Sequence, residues 1–173
     1  MQIKTFNSYH LEHAKLYEDI LSLTMSINDA YSGYADWYKN VFLPGLKKGE
    51  RIYIVAQDEN ENLAGCVLIK NTNDEKKICT LFVNPLFRKQ GLATQLLETS
   101  LKELGEHPLI TVSSRNIVQL KPLLDKMGFH LSGKRKGVYG AKDTEFYFND
   151  KKFDCIRDNL LPVLMDRINQ LSR

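Results

Sequence analysis

The chain has 173 residues, with 24 Lys plus Arg against 21 Asp plus Glu, a formal charge of +3. At 43% hydrophobic and 26% charged residues, that length suits one domain with a substantial core and excludes disorder, collagen and coiled coil as the main architecture. Three well-separated cysteines, Cys66, Cys79 and Cys155, lie in no CxxC and near no histidine in sequence, so they read as reduced thiols and no metal site is expected.

Met1 to Thr5 show no basic-then-apolar leader, and no apolar run approaches the roughly 20 residues of a membrane span, so a cytoplasmic protein without membrane partners is expected. The charge is unevenly spread. Residues 1–45 carry 3 basic and 5 acidic groups, a net of −2, and the remaining 21 basic and 16 acidic groups give +5. That excess is too small to indicate nucleic acid and suits a smaller polyanion.

In chain order, Ile3–Phe6 reads as a strand, and residues 10–28 place Leu11, Ala14, Tyr17, Ile20, Leu21, Leu23 and Met25 near helical spacing. A second helix is expected from Tyr34 to Lys48, interrupted at Pro44-Gly45. Ile52–Ala56, Leu63–Lys70 and Lys77–Val83 read as an antiparallel meander with polar turns at 58–62 and 71–75. A helix from Leu92 to Leu104 ends at Gly105, followed by a strand over Leu109–Ser113. Another helix spans Asn116–Lys126, with Pro122 inside it and Gly128 closing it. Phe129–Leu131 and Glu145–Phe148 are expected as strands around a basic loop, residues 133–137. The order is mixed α/β.

The segment Thr80 to Thr94 carries the chemistry. A strand ends at Val83, Pro85 blocks its continuation, and Arg88-Lys89-Gln90-Gly91 opens a helix. The first N–H groups of a helix lack intrahelical partners and its dipole favours negative charge there. Gly91 permits close backbone approach, and Arg88 and Lys89 add cation. A solvated basic turn is the alternative reading of the same residues. The segment matches neither GxxxxGK[ST] nor GxGxxG, which disfavours ATP and NAD loops.

Val83-Asn84-Pro85 followed by Arg88-Lys89-Gln90-Gly91-Leu92-Ala93 resembles the acetyl-coenzyme A signature of the GNAT N-acetyltransferase superfamily, as does Lys126-Met127-Gly128-Phe129 at the end of the later helix. The resemblance covers roughly residues 50–149. It implies a GNAT-like mixed, mostly antiparallel central sheet flanked by helices, as one acetyltransferase domain over 1–149. Residues 150–173 would add a C-terminal helical extension, with Phe153, Ile156, Leu160, Leu164, Ile168 and Leu171 in an apolar stripe. That helix would pack back on the domain or form a dimer contact.

The resemblance also implies roles. Leu81 and Val83 would offer main-chain groups to the pantetheine arm, and the Phe82 N–H would face the thioester carbonyl. The main chain from Lys89 through Gln90, Gly91, Leu92 and Ala93 to Thr94, with the Arg88 side chain, would hold the pyrophosphate. Asn116 would lie near the pantetheine or adenine end. Splaying of strand 77–83 from strand 109–113 would leave a slot for acyl transfer. Tyr31, Tyr34 and Trp37 would line the acceptor wall, where aromatic faces and carboxylates suit a cationic amine.

Two positions depart from the family pattern. Leu124 stands where a thiolate-protonating tyrosine is common, and Cys79 where a glutamate is common. Tyr139 and Tyr147 are the candidate acids. The expected activity is acetyl transfer from acetyl-coenzyme A to a primary amine by direct attack, the amine being a small molecule, a peptide or protein N-terminus, or a lysine. The alternatives are a catalytically inactive coenzyme A-binding sensor or partner-binding module and, through Lys134-Arg135-Lys136, an enzyme acetylating aminoacyl-tRNA.

Overall fold

Apart from Leu131–Lys136, the strands follow runs of β-branched, aliphatic and aromatic residues. They are β1 (Gln2–Phe6), β2 (Arg51–Gln57), β3 (Leu63–Asn71), β4 (Lys76–Val83), β5 (Leu109–Ser113), β6 (Leu131–Lys136) and β7 (Thr144–Phe148). They form one seven-stranded sheet in the order β1-β2-β3-β4-β5-β7-β6. Every neighbouring pair is antiparallel except β4 with β5. The structure is a computed structural model and describes residues 1–105, 107–139 and 143–153.

Burial on both faces explains why β2 and β3 are almost continuously apolar. On one face Ile52, Ile54, Val67 and Ile69 pack against Leu96 and Leu97 of α4 (Leu92–Leu104) and Leu124 of α5 (Ile117–Lys126). On the other face Tyr53, Val55, Cys66 and Leu68 meet Tyr17 and Ile20 of α1 (Ala14–Thr24) and the second helical region. The N-terminal helices therefore cover one side of the sheet, and α4 and α5 the other.

The second helical region runs through Pro44 rather than breaking there. It comprises α2 (Tyr34–Trp37), a π turn (Tyr38–Phe42) and α3 (Leu43–Lys47). The π turn widens the helix by one residue just before the proline, which has no N–H to give to the preceding turn. Short 3-10 turns at Leu11–His13 and Met25–Asp29 flank α1. Beneath these helices lies a chain of buried hydroxyls. Tyr53 donates to the Tyr38 hydroxyl, Tyr38 donates to the Tyr17 carbonyl at 2.7 Å, and the Tyr17 hydroxyl accepts the His10 N–H at 3.1 Å.

The final hairpin differs from expectation. Phe129 is not in a strand. It is buried in the connection after α5, where its N–H donates to the Leu124 carbonyl at 2.9 Å. The basic run at 133–136 forms β6 itself. β6 is an edge strand, so Lys134 and Lys136 reach solvent while the Arg135 guanidinium lies over the Tyr147 and Phe153 rings. Charged residues are tolerated at such an edge and discourage further pairing. The expected C-terminal helix lies outside the described residues beyond residue 153. Among the described residues no helix is long and apolar enough to cross a membrane.

Candidate acyl-transfer site

An extra residue in β4 opens the site. Ile78 pairs with Ile69 and Thr80 with Leu68, so Cys79 has no partner opposite it in β3. Such a bulge bends a strand and increases its local twist. β4 pairs with β5 only at Lys77↔Leu109 and Ile78↔Ile110. Beyond Ile78 the two strands part, and the slot expected from the sequence lies between them. A cavity of about 1070 Å³ fills it, lined by Leu81, Phe82, Val83, Arg88, Lys89 and Ala93 on one side and by Asn116 and Leu120 of the α5 region on another.

The ladder decides which amides face the slot. The Asn84 N–H donates to the Ala64 carbonyl at 2.9 Å, one pair beyond Val83↔Gly65. Hydrogen-bonded and non-bonded pairs alternate along an antiparallel ladder. Phe82 is therefore turned toward Cys66 of β3, while the peptide groups of Leu81 and Val83 are turned toward the slot. A Cβ on Gly65 would lie 2.7 Å from the Phe82 carbonyl oxygen, which places that carbonyl on the β3 side. The expectation for the Phe82 N–H is corrected accordingly: it is committed to the sheet, and the amides aimed at the slot belong to its neighbours. The Phe82 ring still lines the cavity, with the Arg88 guanidinium 6.0 Å from its centroid.

The basic turn leads into an open helix end. Asn84 Oδ1 accepts the Leu86 N–H at 3.1 Å and Asn84 Nδ2 donates to the Leu63 carbonyl at 3.2 Å, which anchors the turn to β3. Lys89 and Gly91 take left-handed backbone conformations, with φ of 61° and 78°. Gly91 caps α4 with no side-chain hydrogen bond, and no acidic residue lies in the first turn. The N–H groups at the start of α4 are thus free of a side-chain cap, beside two exposed cations. Arg88 Nε donates to the Val83 carbonyl at 3.1 Å. Ala93 lines the cavity, whereas Gln90, Gly91, Leu92 and Thr94 do not; the Leu92 side chain belongs to the core. An open helix terminus, two cations and a strand edge free of β5 fit an elongated ligand with an anionic end, as expected for coenzyme A.

At the other end of the cavity stand Tyr31, Tyr34 and Trp37. Tyr34 is nearly buried; its hydroxyl donates to Thr24 Oγ1 at 3.1 Å, and burial pushes it up to about 12. Trp37 packs beside the Tyr34 and Phe42 rings, with centroids 5.6 and 5.5 Å away. The Tyr31 hydroxyl bridges two strands: it accepts the Ser113 N–H at 3.1 Å and donates to Glu145 Oε1 at 3.1 Å. Glu145 is 2% exposed. Burial is the main cause that holds its carboxyl above the usual range, opposed by hydrogen bonds from Thr111 and Tyr31 and by the charge of Lys77.

The two candidate tyrosines separate. Tyr139 lines the cavity, its ring edge-on to Tyr31 at 4.7 Å, and burial raises its hydroxyl above the ordinary value. Tyr147 lies off the cavity, against Phe153 with centroids 5.0 Å apart. Leu124 is wholly buried in the core and offers no group to the slot. Cys79 lines the cavity, but burial pushes its thiol up, away from the thiolate form that nucleophilic attack needs.

Three residues absent from the sequence expectations belong to the site: Glu145, Thr111 and Arg115. Arg115 donates to the Asp29 carbonyl at 2.6 Å and forms a two-pronged pair with Asp143 at 3.2–3.3 Å, clasping the acceptor wall to the β6–β7 connection. Glu145 stood in the sequence as one charge ahead of an aromatic run, Phe146-Tyr147-Phe148. That pattern shows an unusual residue on one face without showing that the face is covered. Among the described residues no group of three His, Cys, Asp or Glu side chains converges on a metal position.

A family model described as an acetyltransferase (GNAT) domain matches residues 44–146. No curated protein sequence matches the chain significantly. Among solved structures, a protein from Desulfovibrio desulfuricans assigned to the GNAT family superposes with a TM-score of 0.67 at 15% identity, covering 85% of this chain and 97% of its own. An aminoglycoside 6'-N-acetyltransferase in complex with coenzyme A gives 0.62 at 15% identity, covering 86% and 95%. A chimeric spermidine N-acetyltransferase from Vibrio cholerae gives 0.61 at 16% identity, covering 86% and 94%. At these identities the structural matches speak to the fold.

Proposed function

The chain belongs to the GNAT acetyltransferase family, and on that premise we propose that it moves an acetyl group from acetyl-coenzyme A to a primary amine by direct attack. The observation that carries this reading is the parting of β4 from β5 after Ile78, with one cavity running from the open end of α4 to the aromatic wall.

In this reading the slot-facing peptide groups of Leu81 and Val83 hold the pantetheine arm as an added strand would. The N–H groups at the start of α4, with Arg88 and Lys89, take the pyrophosphate, and Asn116 borders the same channel. Bound acetyl-coenzyme A supplies an acetyl group activated as a thioester and a thiol leaving group. Leu81, whose amide faces the slot just past the bulge, replaces Phe82 as the donor offered to the acyl carbonyl. Tyr31, Tyr34 and Trp37 position the amine, and Tyr139, protonated at neutral pH, is the hydroxyl available to a departing thiolate. The raised thiol of Cys79 speaks against an acyl-enzyme and for direct attack. Aminoglycosides and spermidine, the substrates named for two structurally similar enzymes, make small polyamines the first acceptors to test.

The buried, hydroxyl-free Leu124 favours a second reading, a coenzyme A-binding module without catalysis. The two are separated by calorimetric titration with coenzyme A and thiol release over spermidine, an aminoglycoside, a short peptide and aminoacyl-tRNA. Turnover of any amine with micromolar cofactor binding supports acetyl transfer. Tight binding without turnover supports the module, and no binding at millimolar coenzyme A refutes both.

A further inference from the structure

Glu145 is a charged residue in a place that seldom holds one. It sits on β7 opposite Ser113 of β5 and is 2% exposed, on the face of the sheet that the N-terminal helices cover. Its hydrogen-bond partners are hydroxyls, those of Tyr31 and Thr111. A carboxylate removed from water without a paired cation is costly. Tyr31 is the link to the cavity. It lines the acceptor end, and its oxygen has two lone pairs, one of which receives the Ser113 N–H. The buried Ser113 hydroxyl also faces that oxygen, so an acceptor N–H takes the second lone pair in its place, while the Tyr31 proton already points at Glu145.

We propose that Glu145 is the positioning residue and proton sink for the acceptor amine, acting through the Tyr31 hydroxyl. The inference rests on the acetyl-transfer reading. An acceptor that arrives as an ammonium ion gives one N–H proton to the Tyr31 oxygen as the Tyr31 proton passes to the Glu145 carboxylate. Tyr31 ends as it began, Glu145 becomes a carboxylic acid, and the amine gains the lone pair it needs for attack; the proton afterwards returns through the Tyr31 hydroxyl to water that re-enters the cavity once product leaves. The Tyr31 hydroxyl is held well above its ordinary value by burial and by Glu145, so it carries the proton without becoming a tyrosinate. The other carboxylates nearby are worse placed. Asp143 is tied to Arg115, and Asp29, at the cavity edge, is exposed to water.

The charged and titratable groups around Glu145 are Tyr31 from the N-terminal wall, Lys77 from β4, Asp143 and Tyr147 on its own hairpin, Tyr139 from the β6–β7 connection, and Arg135 directly across on β6. Lys77 favours the carboxylate and Asp143 opposes it. The three tyrosines, all raised, stay protonated through the neutral range, which leaves Glu145 to set the acidic limb of a rate profile.

The test compares wild type, Glu145→Gln, Tyr31→Phe and Asp29→Asn with the panel amine of highest turnover. Glu145→Gln is expected to lower kcat/KM about a hundredfold at pH 7 and to leave coenzyme A affinity, measured by calorimetry, within about twofold. Its log kcat/KM is expected to climb with unit slope toward the amine's own pKa, where the wild type runs flat. Tyr31→Phe reproduces that profile, Glu145→Asp recovers part of the loss, and Asp29→Asn keeps the wild-type shape. A wild-type profile in Glu145→Gln or Tyr31→Phe, or a change of slope in Asp29→Asn alone, overturns the assignment while leaving acetyl transfer standing. A wild type that acetylates no amine overturns both.

Discussion

The Tyr31 hydroxyl lies 3.1 Å from Glu145 Oε1, a contact between residues 114 positions apart. It joins the wall built by the N-terminal helices to β7, and it holds a carboxyl group that burial disfavours as an anion. A folded-state pKa raised above the unfolded value gives stability that is complete below the unfolded pKa and lost as pH rises through the folded one. Burial of Glu145 therefore costs stability at neutral pH. Glu145→Gln keeps the size of the side chain and an oxygen to accept the Tyr31 proton. The expected outcome is a variant at least as stable as the wild type at pH 7, with the difference vanishing toward pH 4. Urea unfolding at both pH values checks this, and a variant less stable at pH 7 than at pH 4, relative to wild type, contradicts it.

Gly91 separates backbone strain from ligand electrostatics. Its φ is 78°, and a Cβ there would meet nothing within 4 Å. Gly91→Ala is expected to cost about 1 kcal/mol through the left-handed conformation and to leave coenzyme A affinity nearly unchanged. Gly91→Glu adds a negative charge at the helix terminus, which favours the helix dipole but repels an incoming phosphate. Its coenzyme A affinity is expected to fall by about tenfold or more, equivalent to about 1.4 kcal/mol. Thermal unfolding and calorimetry on the two variants give the two numbers, and equal affinities would remove the pyrophosphate from this helix end.

Gly65 works by absence. A Cβ would stand 2.7 Å from the Phe82 carbonyl oxygen and 3.1 Å from Leu96 Cδ1, so Gly65→Ala must push β4 away from β3. Overpacking of this kind costs about 1–3 kcal/mol. Because β4 is also the slot wall, coenzyme A affinity is expected to fall with stability, unlike in Gly91→Ala. A Gly65→Ala protein with lowered Tm and unaltered affinity would show that β4 adapts without moving its slot-facing amides.

The tyrosines predict alkaline behaviour. Tyr17, Tyr31, Tyr34, Tyr38, Tyr53, Tyr139 and Tyr147 are held above the ordinary value, with burial as the first cause in each. The unfolded chain releases these protons near pH 10 while the folded one keeps them, so their contribution is intact below pH 10 and lost above it. Each group that stays protonated steepens the decline by about 1.4 kcal/mol per pH unit. Tyr53→Phe removes one share and is expected to reduce the slope accordingly. Phenolate absorbance of the folded protein above pH 10 should lag well behind that of the urea-unfolded chain, and coincident curves would contradict the burial argument.

What could be read in the sequence was local. The meander, α4 with its glycine stop, and the basic turn after Pro85 all follow from periodicity and from residues that act on their own backbone. β6 escaped because Lys134, Arg135 and Lys136 resemble a solvated loop; a strand at the edge of a sheet can carry them because one side of it faces water and aromatic rings receive Arg135 on the other. The passage of the helix through Pro44 depends on a π turn that no spacing rule announces. Phe82 was assigned the wrong duty because the direction of an amide depends on ladder phase, which a bonded pair such as Asn84 with Ala64 fixes. Glu145 became visible only when topology brought Tyr31 to it.

Cys79 can be regarded as a spacer. Its thiol has no evident duty, since burial keeps it protonated; what counts is that the strand contains one residue more than its partner needs between Ile78 and Thr80. The position should accept serine or alanine readily and resist deletion. Shortening the chain there by one residue would restore an unbroken ladder with β3 and let β4 continue alongside β5. The result would be a more regular sheet, with the passage between donor and acceptor closed.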